Sequence, residues 1–127
     1  MLTDTNSDLY STWSDYILEP PVRSAFWCLI GMAACSKQIR CRTARQGQVR
    51  AVRFYDSNEL QRFAFIVNRR SLLFYFMPAV TRSGEYSPTV LAEEFPSFKE
   101  PQPEHWTVKL ENVADVERLS PFLAEGV

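Results

Sequence analysis

The side chains in this chain best suited to chemistry are its arginines. From Lys37 to Arg82 the cations are Lys37, Arg40, Arg42, Arg45, Arg50, Arg53, Arg62, Arg69, Arg70 and Arg82, against only Asp56 and Glu59, a local balance of +8. Nine of these ten are arginine, whose planar fork meets phosphate and carboxylate oxygens in pairs, so the segment suits anion recognition better than mere solubility requires. The flanks hide it. Residues 1–36 sum to −3 and residues 83–127 to −6, leaving −1 for the whole chain. Arg40, Arg42, Arg50 and Arg53 fall on one pair of expected strands, Arg45 on the turn between them and Arg69 and Arg70 on the turn of the next pair, so these seven are the candidate binding residues.

Other reactive groups point less clearly to chemistry. His105 is the only histidine, which excludes a histidine-rich metal site, and a Cys–His dyad needs Cys28, Cys35 or Cys41 beside it. The plainer reading of His105 is an edge-strand residue flanking a core tryptophan. Cys28 and Cys35 lie seven residues apart, about 10 Å along a helix, which suits buried small hydrophobes rather than a bridge. Asp56 and Glu59 resemble nuclease carboxylates, yet Leu60, Gln61 and Arg62 follow where such a strand would place a lysine two residues on. Glu93 and Glu94 read as the wet face of a short helix. The four glycines stand singly, so no phosphate-cradling loop is present. The expectation is a protein without enzymatic activity, cofactor or metal.

Length and composition limit the class. A chain of 127 residues with 46% apolar side chains supports one hydrophobic core, so residues 1–127 are read as a single domain. An odd number of cysteines and an acidic first twenty residues, with no basic stretch leading into an apolar run, point to reduced thiols in a cytoplasm and to no secretory signal. The longest apolar run, Ala25 to Cys35, is about half of what a membrane-spanning helix needs.

These arginines need elements to hold them. Ser7 or Asp8 caps a first helix in which Leu9, Trp13, Tyr16 and Ile17 share a face, ended by Glu19-Pro20-Pro21. Pro21 opens a second helix, to Ser36, with Val22, Phe26, Leu29, Ile30 and Ala33 as its inward stripe. Trp27, Cys28 and Met32 make this helix apolar nearly all round, as expected of one sandwiched between the first helix and a sheet. After Ser36 the period becomes two. Gln38–Ala44 and Gln48–Tyr55 form a hairpin around Arg45-Gln46-Gly47, and Arg62–Asn68 and Ser71–Met77 form another. Leu72 to Phe76, apolar on both faces, reads as a central strand. Pro78 to Ser87 reads as a polar loop and Ser87-Pro88 as the start of a short helix with Val90, Leu91 and Phe95 inward. Phe95 to Pro103 reads as a proline-broken link and His105–Glu111 as a last strand. Asn112 caps a final helix bearing Val113, Val116, Leu119 and Leu123, with Pro121 fraying its end. The expected fold is α+β in the order α-α-β-β-β-β-α-β-α, an antiparallel sheet of about five strands with helices on one side.

The C-terminal half also resembles a known superfamily. Phe63-Ala64-Phe65-Ile66-Val67, the apolar strand after it, the helix ending Glu93-Glu94-Phe95-Pro96, and His105-Trp106-Thr107-Val108-Lys109-Leu110 with its closing helix are similar to the YjbR/CyaY-like superfamily. In that superfamily a strand pair is followed by a helix, a proline-broken link, a histidine-tryptophan strand and a terminal helix. The similarity covers about sixty residues. Members include domains regarded as double-wing DNA binders, and the resemblance implies that option here. The chain departs from the pattern before the first strand, with Lys37-Gln38-Ile39-Arg40 where a lysine-tryptophan-glycine segment often stands.

The arginine hairpin favours a nucleic-acid partner. Six cations and no acid stand between Ser36 and Phe54, and a two-stranded ribbon fits a DNA major groove while its arginines reach phosphates. Alternation and the turn are expected to gather Arg40, Arg42, Arg45 and Arg50 into one exposed patch. A plainer reading pairs Arg40, Arg42, Arg50 and Arg53 with the acidic C-terminal third. The alternative function is that of a small inhibitor or immunity-type protein docking an acidic protein through the same arginines, since arginine and aromatics dominate interface hot spots. A homodimer is compatible with either reading. No membrane partner is expected.

Overall fold

The fold comes from a computed structural model that describes residues 1–3, 8–47 and 49–125, with the side chains of Arg45, Gln46, Ala124 and Glu125 outside the description. Ser7 and Gln48, read above as a cap and a strand start, also lie outside the described residues. Helix α1 (Asp8–Tyr16) buries Tyr10, Trp13 and Ser14. Helix α2 (Pro20–Cys35) begins one residue earlier than expected, because both prolines fit in a first turn whose N–H groups have no intrahelical partner. Its stripe of Val22, Phe26, Leu29, Ile30 and Ala33 is buried as expected. The opposite side is not sandwiched. Trp27 is 42% exposed, its ring edge-on to Phe26 and its indole N–H donating to Ser14 Oγ at 2.7 Å.

Six strands follow, β1 (Arg40–Gln46), β2 (Val49–Tyr55), β3 (Gln61–Val67), β4 (Leu72–Phe76), β5 (Lys99–Gln102) and β6 (His105–Leu110), with α3 (Pro78–Thr81) and α4 (Pro88–Glu94) between β4 and β5 and α5 (Val113–Glu125) last. All pair antiparallel in the order β1-β2-β3-β4-β6-β5, so β4 is central as its two-sided apolar pattern indicates. Two short elements depart from the expectation. The loop after Phe76 opens with a turn of helix that buries Val80, and the proline-broken link contains β5, which makes β6 an interior strand and His105 no edge residue. Val90 is 46% exposed, Val113 half-buried and Cys35 exposed, against the inward or buried positions expected of them, and α5 continues past Pro121 to Glu125.

Every helix packs on the same side of the sheet. Phe54, Phe63, Phe65, Phe74, Phe76, Trp106, Val108 and Leu110 on the inner face join one cluster with residues of α1, α2, α3, α4 and α5. Cross-strand phenylalanines set the register there. Phe63 lies opposite Phe76 and Phe65 opposite Phe74, with ring centroids of Phe63 and Phe76 5.6 Å apart. Asn112 Oδ1 accepts the Asp115 N–H at 2.9 Å and Asp115 Oδ2 accepts the Glu111 N–H at 2.8 Å, closing α5 onto β6. Residues 1–3 run beside the outer edge of β1, Leu2 bridging to Cys41 in parallel. Burial lowers the pKa of the Met1 amino group, with Cys41 and Cys35 opposing the shift. Among the described residues no helix is long and apolar enough to cross a membrane.

Candidate nucleic-acid interface

One-sided helix packing leaves the other face of the sheet uncovered. Register gives its composition. Arg42, Arg53, Ala64, Tyr75, Thr107 and Lys99 form one row across all six strands, and Ala44, Ala51, Ile66, Leu73 and Lys109 form the next. Arg40 and Tyr55 pair at the β1–β2 end of a third row. At the usual strand spacing the first row is about 24 Å long. None of these positions holds Asp or Glu, whereas five hold a cation. Glu100, one residue on from Lys99, turns to the helix side and accepts the Trp106 indole N–H at 2.9 Å.

The cations of this face differ in their partners. Arg40 and Arg42 both reach Glu59, from the β2–β3 loop, and the Arg42 guanidinium lies 4.0 Å over the Tyr55 ring. Among the described residues no ion pair holds Arg53, Lys99 or Lys109. Among the described residues the ion pairs of the acidic C-terminal third run elsewhere, Glu85 to Arg62, Glu104 to Arg82 and Asp115 to Arg118, so neutralisation by that third does not explain Arg40, Arg42 or Arg53.

Tyr75 stands at the middle of the face. Its row neighbours Ala64 and Thr107 are 7% and 3% exposed although no helix covers them. Tyr75, half-buried, is the aromatic between the two in register.

Arg50 does not join Arg40 and Arg42 in the expected patch. Side chains alternate along a strand, and Arg45 lies opposite Arg50 in register while Arg42 lies opposite Arg53. Arg50 therefore belongs to the helix-bearing side, where its guanidinium sits 3.5 Å over Tyr16. Arg69 lies 4.6 Å over the same ring and Arg70 pairs with Glu19 at 3.3 Å. The seven arginines thus divide between the open face (Arg40, Arg42, Arg53) and a cluster at the turn end of the sheet (Arg50, Arg69, Arg70). The Arg45 side chain is outside the described residues. Nor is β1–β2 a free ribbon for a groove, because β3 pairs along β2 from Ala51 to Tyr55.

Sequence reasoning missed Lys99, Lys109 and Tyr75. Lys109 was legible, alternating with Val108 and Leu110, but its relation to the arginines needed the strand order.

A second concavity lies on the helix side, a recess of about 400 Å³ whose walls include Leu29, Met32, Ile39, Phe54, Phe63 and Pro121. Its two serines are engaged. Ser36 Oγ accepts the Gln38 and Ile39 N–H groups, and Ser120 Oγ donates to the Glu117 carbonyl. Among the described residues no group of three or more His, Cys, Asp and Glu is placed to hold a metal.

Comparison with known proteins gives no match to a family model, a curated protein or a solved structure. The functional reading rests on the residues just described.

Proposed function

We propose that this domain binds nucleic acid through the phosphate backbone, using the open sheet face rather than an inserted hairpin, and that it favours single strands. The observation that carries this reading is a sheet face uncovered by helices whose strand positions hold Arg40, Arg42, Arg53, Lys99 and Lys109 and no carboxylate. A sheet face about 24 Å across, with no projecting ribbon, fits an extended strand better than a duplex groove. Tyr55 and Tyr75 add π-faces of the kind that bases stack on. The resemblance of the C-terminal half to the double-wing superfamily points to the same class of partner.

Titration of fluorescently labelled single-stranded and duplex oligonucleotides of unrelated sequence tests it. Affinity for single strands is expected to fall linearly in log–log form with salt. In the triple variant Arg42→Ala, Arg53→Ala, Lys109→Ala the slope should shrink by roughly 0.7 per lost contact, about two in all. Unrelated sequences should weaken together, because phosphate contacts carry no base information. Absence of wild-type binding even at low salt would move the assignment to an acidic protein partner. The paired arginines on Tyr16 would then be the surface to test.

A further inference from the structure

Among the described residues Glu59 is the carboxylate paired with Arg40 and Arg42, and its backbone sits at φ 63°, a left-handed conformation that non-glycine residues seldom adopt. The loop before it fixes that geometry. Asp56 Oδ1 accepts the Asn58 N–H at 2.8 Å and the Leu60 N–H at 3.1 Å, while the Glu59 N–H donates to the Asp56 carbonyl at 3.0 Å. Held this way, the Glu59 carboxylate bonds Arg40 and lies 3.7 Å from Arg42, whose fork is already oriented by stacking on Tyr55. A recess of about 340 Å³ lined by Met1, Thr3, Arg40, Arg42, Tyr55 and Glu59 opens at this point.

Folding alone gives weak cause for the arrangement. The Arg40, Arg42 and Glu59 side chains are 50%, 46% and 54% exposed, and ion pairs this open to water contribute little to stability. Backbone strain that stability does not repay is a mark of functional sites. We infer that Arg40 and Arg42, backed by Tyr55, form a phosphate site of the nucleic-acid surface, and that Glu59 occupies it as an internal competitor displaced when a backbone phosphate arrives. This rests on the nucleic-acid reading above and adds a definite subsite and a built-in brake. Carboxylate and phosphodiester each present oxygens of one negative charge to the same forks. The bound strand prevails through its further contacts with Arg53, Lys99 and Lys109.

The test is the same oligonucleotide titration on wild type, Glu59→Gln, Glu59→Ala and Glu117→Gln, the last making an equal charge change on the helix side. Removing the competitor should tighten single-strand binding by about fivefold, the size of one unit-charge interaction at about 4 Å in water. The salt slope should stay the same, because a phosphate takes the same forks in wild type once Glu59 is displaced. Glu117→Gln should change neither. If both Glu59 variants bind as wild type, no tighter than Glu117→Gln, or more weakly, the inference is overturned while the nucleic-acid reading stands. If neither wild type nor the Glu59 variants bind at low salt, both fail together.

Discussion

Replacing Phe26 by alanine is expected to destabilise the domain by about 3–5 kcal/mol, the cost of emptying a large aromatic site in a close-packed core. Phe26 is fully buried where α2 crosses the sheet, its ring edge-on to Phe65 at 6.0 Å and to Trp27 at 5.1 Å. The change takes away dispersion contacts on two sides at once, and neither the helix nor the sheet can collapse fully into the space. Against a total stability of about 5–15 kcal/mol for a domain, this is enough to populate unfolded chain under mild conditions. Urea denaturation followed by circular dichroism should show a much lower midpoint with an unchanged slope. An unchanged midpoint would mean that α2 lies at the surface and that the helices do not back the sheet as described.

The largest effect on binding is expected from reversing charge at the centre of the arginine row. In Arg42→Glu, Arg53→Glu, two phosphate contacts become two repulsions, and like charges brought together at an interface cost several kcal/mol. Single-strand affinity should fall by at least about 100-fold at low salt. The fold should persist, because Arg42 is 46% exposed and its pair with Glu59 is a surface pair worth about 0–1 kcal/mol. The matched reversal Arg50→Glu, Arg69→Glu alters the Tyr16 cluster on the other side and should leave much of the binding intact. Anisotropy titrations of both variants decide between the two basic regions. A larger loss from the Arg50 and Arg69 pair would move the site to the turn end of the sheet.

Much of this architecture could be read from local pattern. The 3.6-residue stripe of α2, the two-residue alternation after Ser36, the Ser87-Pro88 and Asn112 caps and the central place of Leu72–Phe76 each have a mechanism acting within a few residues. What the sequence withheld depended on distant partners. Strand β5 has four exposed residues and a proline, so nothing in it alternates; its pairing comes from β6 offering an edge, where proline is tolerated. Helix α3 opens with Pro78, the same signal as at Pro88, but the polar stretch after it obscured the one buried residue, Val80.

The site divides in the same way. Arg40 and Arg42 share a face by simple alternation, and the register that sets Arg53 opposite Arg42 puts Arg50, three residues before Arg53, on the other; gathering Arg50 with them ignored that odd spacing. Lys99 and Tyr75 join Arg53 only through the sheet order, which no local pattern specifies. Glu59 read as a failed nuclease carboxylate because its role depends on the strand 19 residues before it.

The most direct measurement of the central claim is an amide chemical-shift map of isotope-labelled protein titrated with a short single-stranded oligonucleotide. The shifts are expected to cluster at Arg40, Arg42, Arg53, Tyr55, Ala64, Tyr75, Thr107 and Lys109 and to spare the outward turns of α2 and α5. Shifts confined to the helix side, or to Tyr16, Arg50, Arg69 and Arg70, would contradict it.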